Sequence, residues 1–119
     1  MKTYTYKDLL VWQKSMELVR EVYLLTDLLP SEEKFGLVSQ MQRAAVAIPS
    51  NIAEGHLRRH RKEFIHFLSI ALGSAAELET QLLVCQSIAR LSLRDLDKSL
   101  QTVVEVKKML YSLTQKLDA

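Results

Sequence analysis

The clearest structural signal in the chain is the run from Phe64 to Ala89, which reads FIHFLSIALGSAAELETQLLVCQSIA. Apolar and small residues recur in it at alternating spacings of four and three, which places them along one side of a helix. These residues are Phe64, Leu68, Ala71, Ala75, Leu78, Leu82, Cys85 and Ala89. A period of about 3.5 residues favours left-handed packing at shallow crossing angles. The run therefore predicts a long helix over about residues 62–90 that buries this seam.

Two further helices are predicted before this run, each from its own apolar spacing. The first covers about residues 7–28 and the second about residues 32–57. The expected buried side of the first helix is formed by Trp12, Met16, Val19, Tyr23 and Thr26. The expected buried side of the second is formed by Val38, Met41, Ala45, Ile48 and Ile52. Residues at these spacings share one helical face.

Start and stop residues mark the fourth helix and the end of the second. Ser92 is followed three residues later by Asp95, which resembles a capping box and opens a helix over about residues 93–117. Its expected buried stripe is Leu96, Leu100, Val103, Leu110, Leu113 and Leu117. In the second helix, Pro49 is expected to cause a kink or short break, because proline removes a backbone hydrogen bond. That helix is expected to end near Gly55 to Leu57, because glycine favours the left-handed conformation that is common just past a helix end.

These patterns predict an all-α fold with a single domain over residues 1–119. The chain has only three glycines and two prolines, whereas a sandwich or barrel needs a turn every ~8–12 residues. The predicted connections are short, so neighbouring helices are expected to be antiparallel. The expected architecture is an up-down four-helix bundle with left-handed packing.

The composition indicates a soluble globular chain, with 48% hydrophobic and 25% charged residues. The opening residues do not read as a secretory signal, and no uninterrupted apolar run approaches the ~20 residues of a membrane span. We therefore expect a cytoplasmic protein with no membrane partner. The net charge of +2 is mildly basic and, by itself, too weak to indicate a nucleic-acid-binding protein.

No catalytic, cofactor or metal site is predicted. A di-iron bundle needs a Glu-x-x-His pair on each of two helices, and this chain has one such pair, Glu63 and His66. His56 and His60 stand four residues apart, which leaves a surface zinc site open beside the alternative of two solvated histidines. Cys85 lies on the apolar seam and is expected to be a core residue. With no phosphate loop or nucleophile elbow, we expect a protein that is not an enzyme.

Two stripes outside the predicted seams are unusual for a monomeric bundle. They lie on the second and third helices and carry small, polar and apolar residues at positions where a solvated face would usually carry mostly lysine and glutamate. The residues are Gly36, Arg43, Ala47, Ser50 and Glu54, followed by Phe67, Ile70, Ser74, Glu77 and Gln81. One interpretation is that the stripes widen the core. The other is that they form the interface of a homo-oligomer, with charged members pairing across it.

A cluster of positive charge is predicted at the connection between the second and third helices. Its members are Arg58, Arg59, Arg61 and Lys62, and we call them the basic corner. Such a cluster attracts phosphates, with an affinity that falls steeply as salt rises. An ordinary solvated turn is the alternative. In a ring of identical subunits, however, each copy would add its own cluster to the same end.

These residues resemble a known family. The run RAAVAIPSNIAEG from Arg43 to Gly55 closely resembles the signature of the 23S rRNA intervening-sequence proteins, also called the four-helix bundle protein family. Further similarity lies in VWQK at residues 11–14, in Gly36-Leu37, in FLSIALGS at residues 67–74 and in ELETQL at residues 77–82. The resemblance covers nearly the whole chain.

The resemblance implies a small bacterial protein that folds as an up-down bundle and assembles into a homopentameric ring. Some members of the family are encoded within insertions in large-subunit ribosomal RNA genes. The family is also similar to the accessory variability proteins of diversity-generating retroelements, which form basic pentamers that bind nucleic acid and a reverse transcriptase. No enzymatic activity is established for the family, and its members are of unknown function.

Two functional hypotheses follow. The first is a homo-oligomer, pentameric by resemblance, that binds RNA or other nucleic acid through the basic corner. The alternative is a protein-interaction scaffold, for example for a reverse transcriptase or a ribosomal factor, with no direct role in nucleic-acid binding. A metal protein or an enzyme is the least supported class.

Overall fold

The fold is all-α, as predicted, in a computed structural model that describes residues 5–119. Its four long helices are α1 (Leu10–Thr26), α2 (Ser39–Leu57), α3 (Arg61–Ser87) and α4 (Leu93–Asp118). No strand occurs within the described residues. Helices α1 and α3 each pack against α2 and α4, so the four helices surround one core in a body of 48 × 22 × 22 Å.

The core confirms the seam of α3. Every seam residue from Leu68 to Cys85 is buried, whereas Phe64 is half-buried and Ala89 lies beyond the helix end and is exposed. The largest fully buried partners on the other helices are Leu18, Met41, Ile48, Ile52, Leu96 and Leu110. Each such side chain stabilises the fold by roughly 1.5–3 kcal/mol relative to an exposed one. The residues of α3 that recur about every 3.5 positions are therefore the ones that this helix contributes to the core.

The predicted buried face of α1 is wrong by one residue. The side chains that are buried are Val11, Ser15, Leu18, Val22 and Leu25, together with the predicted Thr26. Tyr23, expected inside, is exposed. The helix also begins three residues later than predicted, because Leu9 is extended after a 3₁₀ turn at Tyr6–Asp8. Apolar residues occupy adjacent registers of α1, so spacing alone does not decide which register is buried.

Helix α2 is continuous through Pro49, so the break predicted there is absent. Proline inside a helix costs about 3 kcal/mol, because it removes a backbone hydrogen bond and crowds the preceding turn, and the burial of Ile48, Pro49 and Ile52 offsets that cost. The irregularity lies earlier, in a 3₁₀ turn at Ser31–Glu33 and a π segment at Lys34–Val38. The regular helix therefore starts later than predicted.

The capping box of α4 is confirmed. The Ser92 hydroxyl accepts a hydrogen bond from the Asp95 backbone N–H at 3.2 Å, and the Asp95 carboxylate accepts one from the Ser92 N–H at 3.3 Å. Helix α3 ends three residues earlier than predicted, because Ala89 takes a left-handed conformation with φ 57°. The Arg90 N–H reaches back to the Cys85 carbonyl at 2.9 Å and closes the helix end.

Helix α3 is apolar on its outer side as well as its inner side. By length and composition alone it is able to cross a membrane, although the core helices of soluble proteins meet the same criterion. Only 33% of its most apolar window is buried within the chain. The exposed side chains of α3 include the large apolar residues Ile70, Leu83 and Val84, so its outer side is a candidate contact surface.

Candidate functional site

The basic corner is a tight turn in which the strained residue is an arginine. Arg59 takes a left-handed conformation with φ 60°, and its N–H donates to the His56 carbonyl at 3.4 Å. Helix α2 ends at Leu57, within the predicted range, but Gly55, whose left-handed preference was the reason for the prediction, is instead buried inside α2. A β-carbon on Gly55 would lie 2.6 Å from Phe67 Cβ and 3.1 Å from Phe64 Cδ1. The glycine is therefore needed for the close approach of α2 and α3.

Arg58 is already occupied by partners within its own chain. Its guanidinium lies 3.2 Å from the Glu54 carboxylate and 3.9 Å from that of Glu63. It also covers the ring of Phe67, with 5.2 Å between the guanidinium carbon and the ring centroid. Arg58 thus ties the end of α2 to the start of α3, and its charge is largely balanced before any phosphate approaches.

The other three basic-corner residues are free of ion pairs. Arg59, Arg61 and Lys62 are exposed, and within residues 5–119 no carboxylate lies within 4.0 Å of their charged groups. Arg59 and Arg61 line a shallow groove of about 330 Å³ together with His56 and His60. Four nitrogen-bearing side chains around one groove form a surface suited to an anion.

From the sequence, His56 and His60 were interpreted either as zinc ligands or as two solvated histidines. They line a groove with two arginines, which is an anion-binding environment rather than a cation-binding one. The ring of His56 packs edge-on against Phe64 with 5.6 Å between centroids. Over residues 5–119 no three His, Cys, Asp or Glu side chains lie close enough to share a metal ion. A spacing of four residues between two histidines is compatible with both an anion-binding and a cation-binding groove, so the sequence alone did not distinguish them.

The predicted interface residues all lie at least partly at the surface. Arg43, Ser50, Glu54, Ile70 and Glu77 are exposed, and Gly36, Ala47, Phe67 and Ser74 are half-buried. Gln81, the tenth residue of the two stripes, is buried and does widen the core, whereas none of these nine belongs to it. Arg58 connects the two stripes by contacting both Glu54 and Phe67. We call this joined surface the α2–α3 face.

Comparison with known families identifies the family of the chain. Residues 7–112 match the family described as the 23S rRNA-intervening sequence protein. The chain belongs to this family. The match spans all of α1 to α3 and most of α4, and it includes the basic corner and the α2–α3 face.

A solved structure supports the family assignment. This member of the intervening-sequence family is similar to a protein of unknown function from the S23 ribosomal protein family of Bacteroides thetaiotaomicron, with a TM-score of 0.79 and 29% identity. The alignment covers 88% of this chain and 95% of the other. No curated protein matches the chain significantly. The four-helix fold is therefore shared with a solved relative whose activity is also unknown.

The single cysteine of this family member is part of the core. Cys85 is fully buried, and its Sγ lies 3.7 Å from the Met41 Sδ. Burial raises the pKa of the Cys85 thiol, and the negative charge of Glu33 raises it further. A thiol with a raised pKa stays protonated and is a poor nucleophile or metal ligand. Cys85 is thus a packing residue, as its place on the seam indicated.

Proposed function

We propose that this chain is a non-enzymatic homo-oligomer that binds RNA or other nucleic acid through its basic corner. The observation that carries the proposal is the set of exposed, unpaired cations at Arg59, Arg61 and Lys62. Cations of this kind contact phosphates without reading bases, so the expected binding is strong at low salt and independent of sequence.

The proposed subunit is an antiparallel, up-down four-helix bundle with left-handed packing. Two contacts support antiparallel order for α2 and α3: Gly55 near the end of α2 faces Phe67 near the start of α3, and Met41 faces Cys85. Two contacts between α1 and α4 support the same order there. Lys14 pairs with Glu105 at 3.6 Å, and the Glu21 carboxylate accepts a hydrogen bond from the Thr102 hydroxyl at 3.1 Å. The later residue of α1 thus contacts the earlier residue of α4.

The proposed assembly is a cytoplasmic homopentameric ring whose interface includes the α2–α3 face. Ile70 on this face is 39% exposed, and the outer side of α3 carries further apolar surface that a partner would cover. In a ring, the basic corners of all copies lie at one end, so several weak phosphate contacts act on one RNA strand. Linked sites of this kind raise the overall affinity well beyond that of a single corner.

A salt-titrated binding measurement tests the RNA proposal. A fluorescein-labelled single-stranded RNA is titrated with wild type and with the triple variant Arg59→Ala, Arg61→Ala, Lys62→Ala. Each phosphate contact contributes about 0.7 to the slope of log K against log salt, so the triple variant is expected to lose a slope of about 2. The control variant Arg20→Ala, Arg94→Ala, Lys98→Ala removes the same charge from exposed sites on α1 and α4. If both variants lose the same slope of log K against log salt, RNA binding is not localised to the basic corner.

The scaffold function is a second candidate, favoured by apolar surface on α1. Leu24 and Leu28 are 72% and 58% exposed and border a groove of about 310 Å³ next to the start of α4. A protein partner would bury this surface. If the scaffold function is correct and the RNA proposal is not, Leu24→Asp abolishes partner binding while RNA affinity is undetectable even at low salt.

A further inference from the structure

A second apolar surface lies where α1 faces the start of α2. A groove of about 590 Å³ is lined there by Tyr23, Lys34, Phe35, Val38, Arg43 and Val46, among others. Phe35 is 89% exposed, the highest value of any large apolar side chain in the described residues. Tyr23 and Val46 are 45% and 41% exposed. We call this surface the Phe35 groove.

The charge of the Phe35 groove has one sign. Lys34 and Arg43 border it, and no carboxylate is among its lining residues. Neither cation has an ion pair in the part of the chain that the structure describes, and the Lys34 ammonium instead lies 5.6 Å from the Phe35 ring centroid. A partner that fits this groove is therefore apolar and carries negative charge.

The outer side of α3 carries a second periodic series, distinct from its buried seam. The series consists of Ser69, Gly73, Ala76, Thr80 and Leu83, with the same alternation of four and three. All five residues are exposed. We call this series the outer ridge. A regular series of small residues lets a neighbouring element approach the helix backbone closely.

Gly73 is not required by the fold of its own chain. A β-carbon at this position would meet nothing within 4 Å. Glycine inside a helix is less favourable than alanine, so the chain carries this cost with no internal packing reason. A contact from outside the chain is a physical reason for a glycine here.

The outer ridge is also nearly free of charge. No lysine or arginine occurs between Lys62 and Arg90. Glu79 is paired with Lys107 at 2.7 Å, which leaves Glu77 as an exposed carboxylate beside the ridge, with no ion pair among residues 5–119. The ridge thus offers the Phe35 groove a surface of small, uncharged side chains and low relief with one negative charge beside it.

We propose that the outer ridge of one copy docks in the Phe35 groove of the next copy, with Glu77 facing Arg43. This inference rests on the proposed self-assembly and names the two surfaces that meet. The groove is formed by α1 and α2, whereas the ridge is on α3, so the contact is heterologous. Each copy offers one groove and one ridge, and repetition of such a contact generates a ring when the rotation closes.

Charge reversal with rescue tests the pairing. Sedimentation velocity at micromolar concentration is measured for wild type, Arg43→Glu, Glu77→Arg and the double variant. Each single reversal places like charges together and is expected to weaken assembly at least tenfold, whereas the double variant regains most of the wild-type association. The control Arg94→Glu reverses an exposed charge on α4 and is expected to leave assembly unchanged.

A second variant tests the close approach independently of charge. Gly73→Leu places a large side chain in space that is open in the single chain, so the subunit is expected to stay folded by circular dichroism. In the proposed contact the same side chain blocks the ridge, and assembly is expected to weaken at least tenfold. Full assembly of Gly73→Leu overturns the inference.

The outcomes separate this inference from the function on which it rests. If the wild-type protein sediments as a single chain of 13.6 kDa, the proposed self-assembly itself is wrong. A wild-type oligomer that is insensitive to both single reversals, or a double variant that is not rescued, overturns the groove–ridge pairing and leaves self-assembly standing.

Discussion

Gly55 and Phe67 approach so closely that a β-carbon on residue 55 would lie 2.6 Å from the Phe67 Cβ. This distance is shorter than van der Waals contact, so any side chain at position 55 moves α2 away from α3. The basic corner follows directly after Gly55 in the chain. The contact therefore fixes the position of the corner relative to the α2–α3 face.

Replacement of Gly55 by alanine is expected to destabilise the subunit. Overpacking costs about 1–3 kcal/mol in the free energy of unfolding, and the better helix propensity of alanine offsets up to about 1 kcal/mol of it. Urea denaturation at a concentration where the chain is monomeric measures the difference. The control Gly73→Ala meets open space and is expected to be neutral or stabilising. Equal effects of the two substitutions would contradict the packing explanation.

Arg58 and Arg59 are adjacent but are expected to respond oppositely to substitution. Arg58→Ala removes two half-exposed ion pairs and the contact with Phe67, so it lowers stability by about 1 kcal/mol and changes RNA affinity little. Arg59→Gly relieves the left-handed backbone and raises stability by about 1 kcal/mol, while one phosphate contact is lost. Thermal melting and RNA titration of both variants check this prediction. A larger loss of affinity for Arg58→Ala than for Arg59→Gly contradicts it.

Stability is expected to fall in alkaline solution because of Cys85. The folded state raises the pKa of this thiol, so the unfolded chain releases the proton first, near pH ~8.5. The stabilising contribution is complete below that pH. It is lost, by at most about 1.4 kcal/mol per pH unit, as the pH rises towards the folded-state pKa. Urea unfolding of wild type and Cys85→Ala at neutral and alkaline pH measures the effect, and parallel pH profiles of the two proteins exclude it.

The start of α4 depends on Ser92. Its hydroxyl accepts the Asp95 N–H, and substitution by alanine leaves that donor without its cap. Ser92→Ala is expected to lower the free energy of unfolding by about 1 kcal/mol, while Ser92→Thr retains most of the stability. Denaturant titration of both variants distinguishes loss of the cap from a general effect of substitution at this turn.

The sequence predicted the fold well where one pattern was dominant. In α3 the seam from Leu68 to Cys85 is unbroken, and its residues are all buried. Ser92 and Asp95 lie close in sequence, so their capping box depends on local geometry that spacing reveals. Family membership was also predicted, because the run from Arg43 to Gly55 is specific enough to be recognised without any structure.

The predictions that were wrong share a different cause. They depend on contacts between parts of the chain that are distant in sequence. Whether Val22 or Tyr23 faces inward depends on where α2 and α4 pack against α1, since both residues are apolar. Gly55 was interpreted from its local preference for a left-handed turn, but its role is set by Phe67 on the next helix. The prominence of Phe35 was missed because it lies in the irregular segment before α2, where no helical period applies.

The burial of Cys85 against Met41 has a practical consequence for studying this protein. Because the chain has one cysteine and its sulfur is inaccessible, folded copies have no thiol with which to form an intermolecular disulfide. Disulfide bonds therefore do not contribute to any assembly of the folded protein, even in air. A cysteine introduced in place of Arg94, which is exposed on α4 outside the proposed contact, would be the reactive thiol, so a fluorophore placed there reports subunit exchange without any need to remove the native residue.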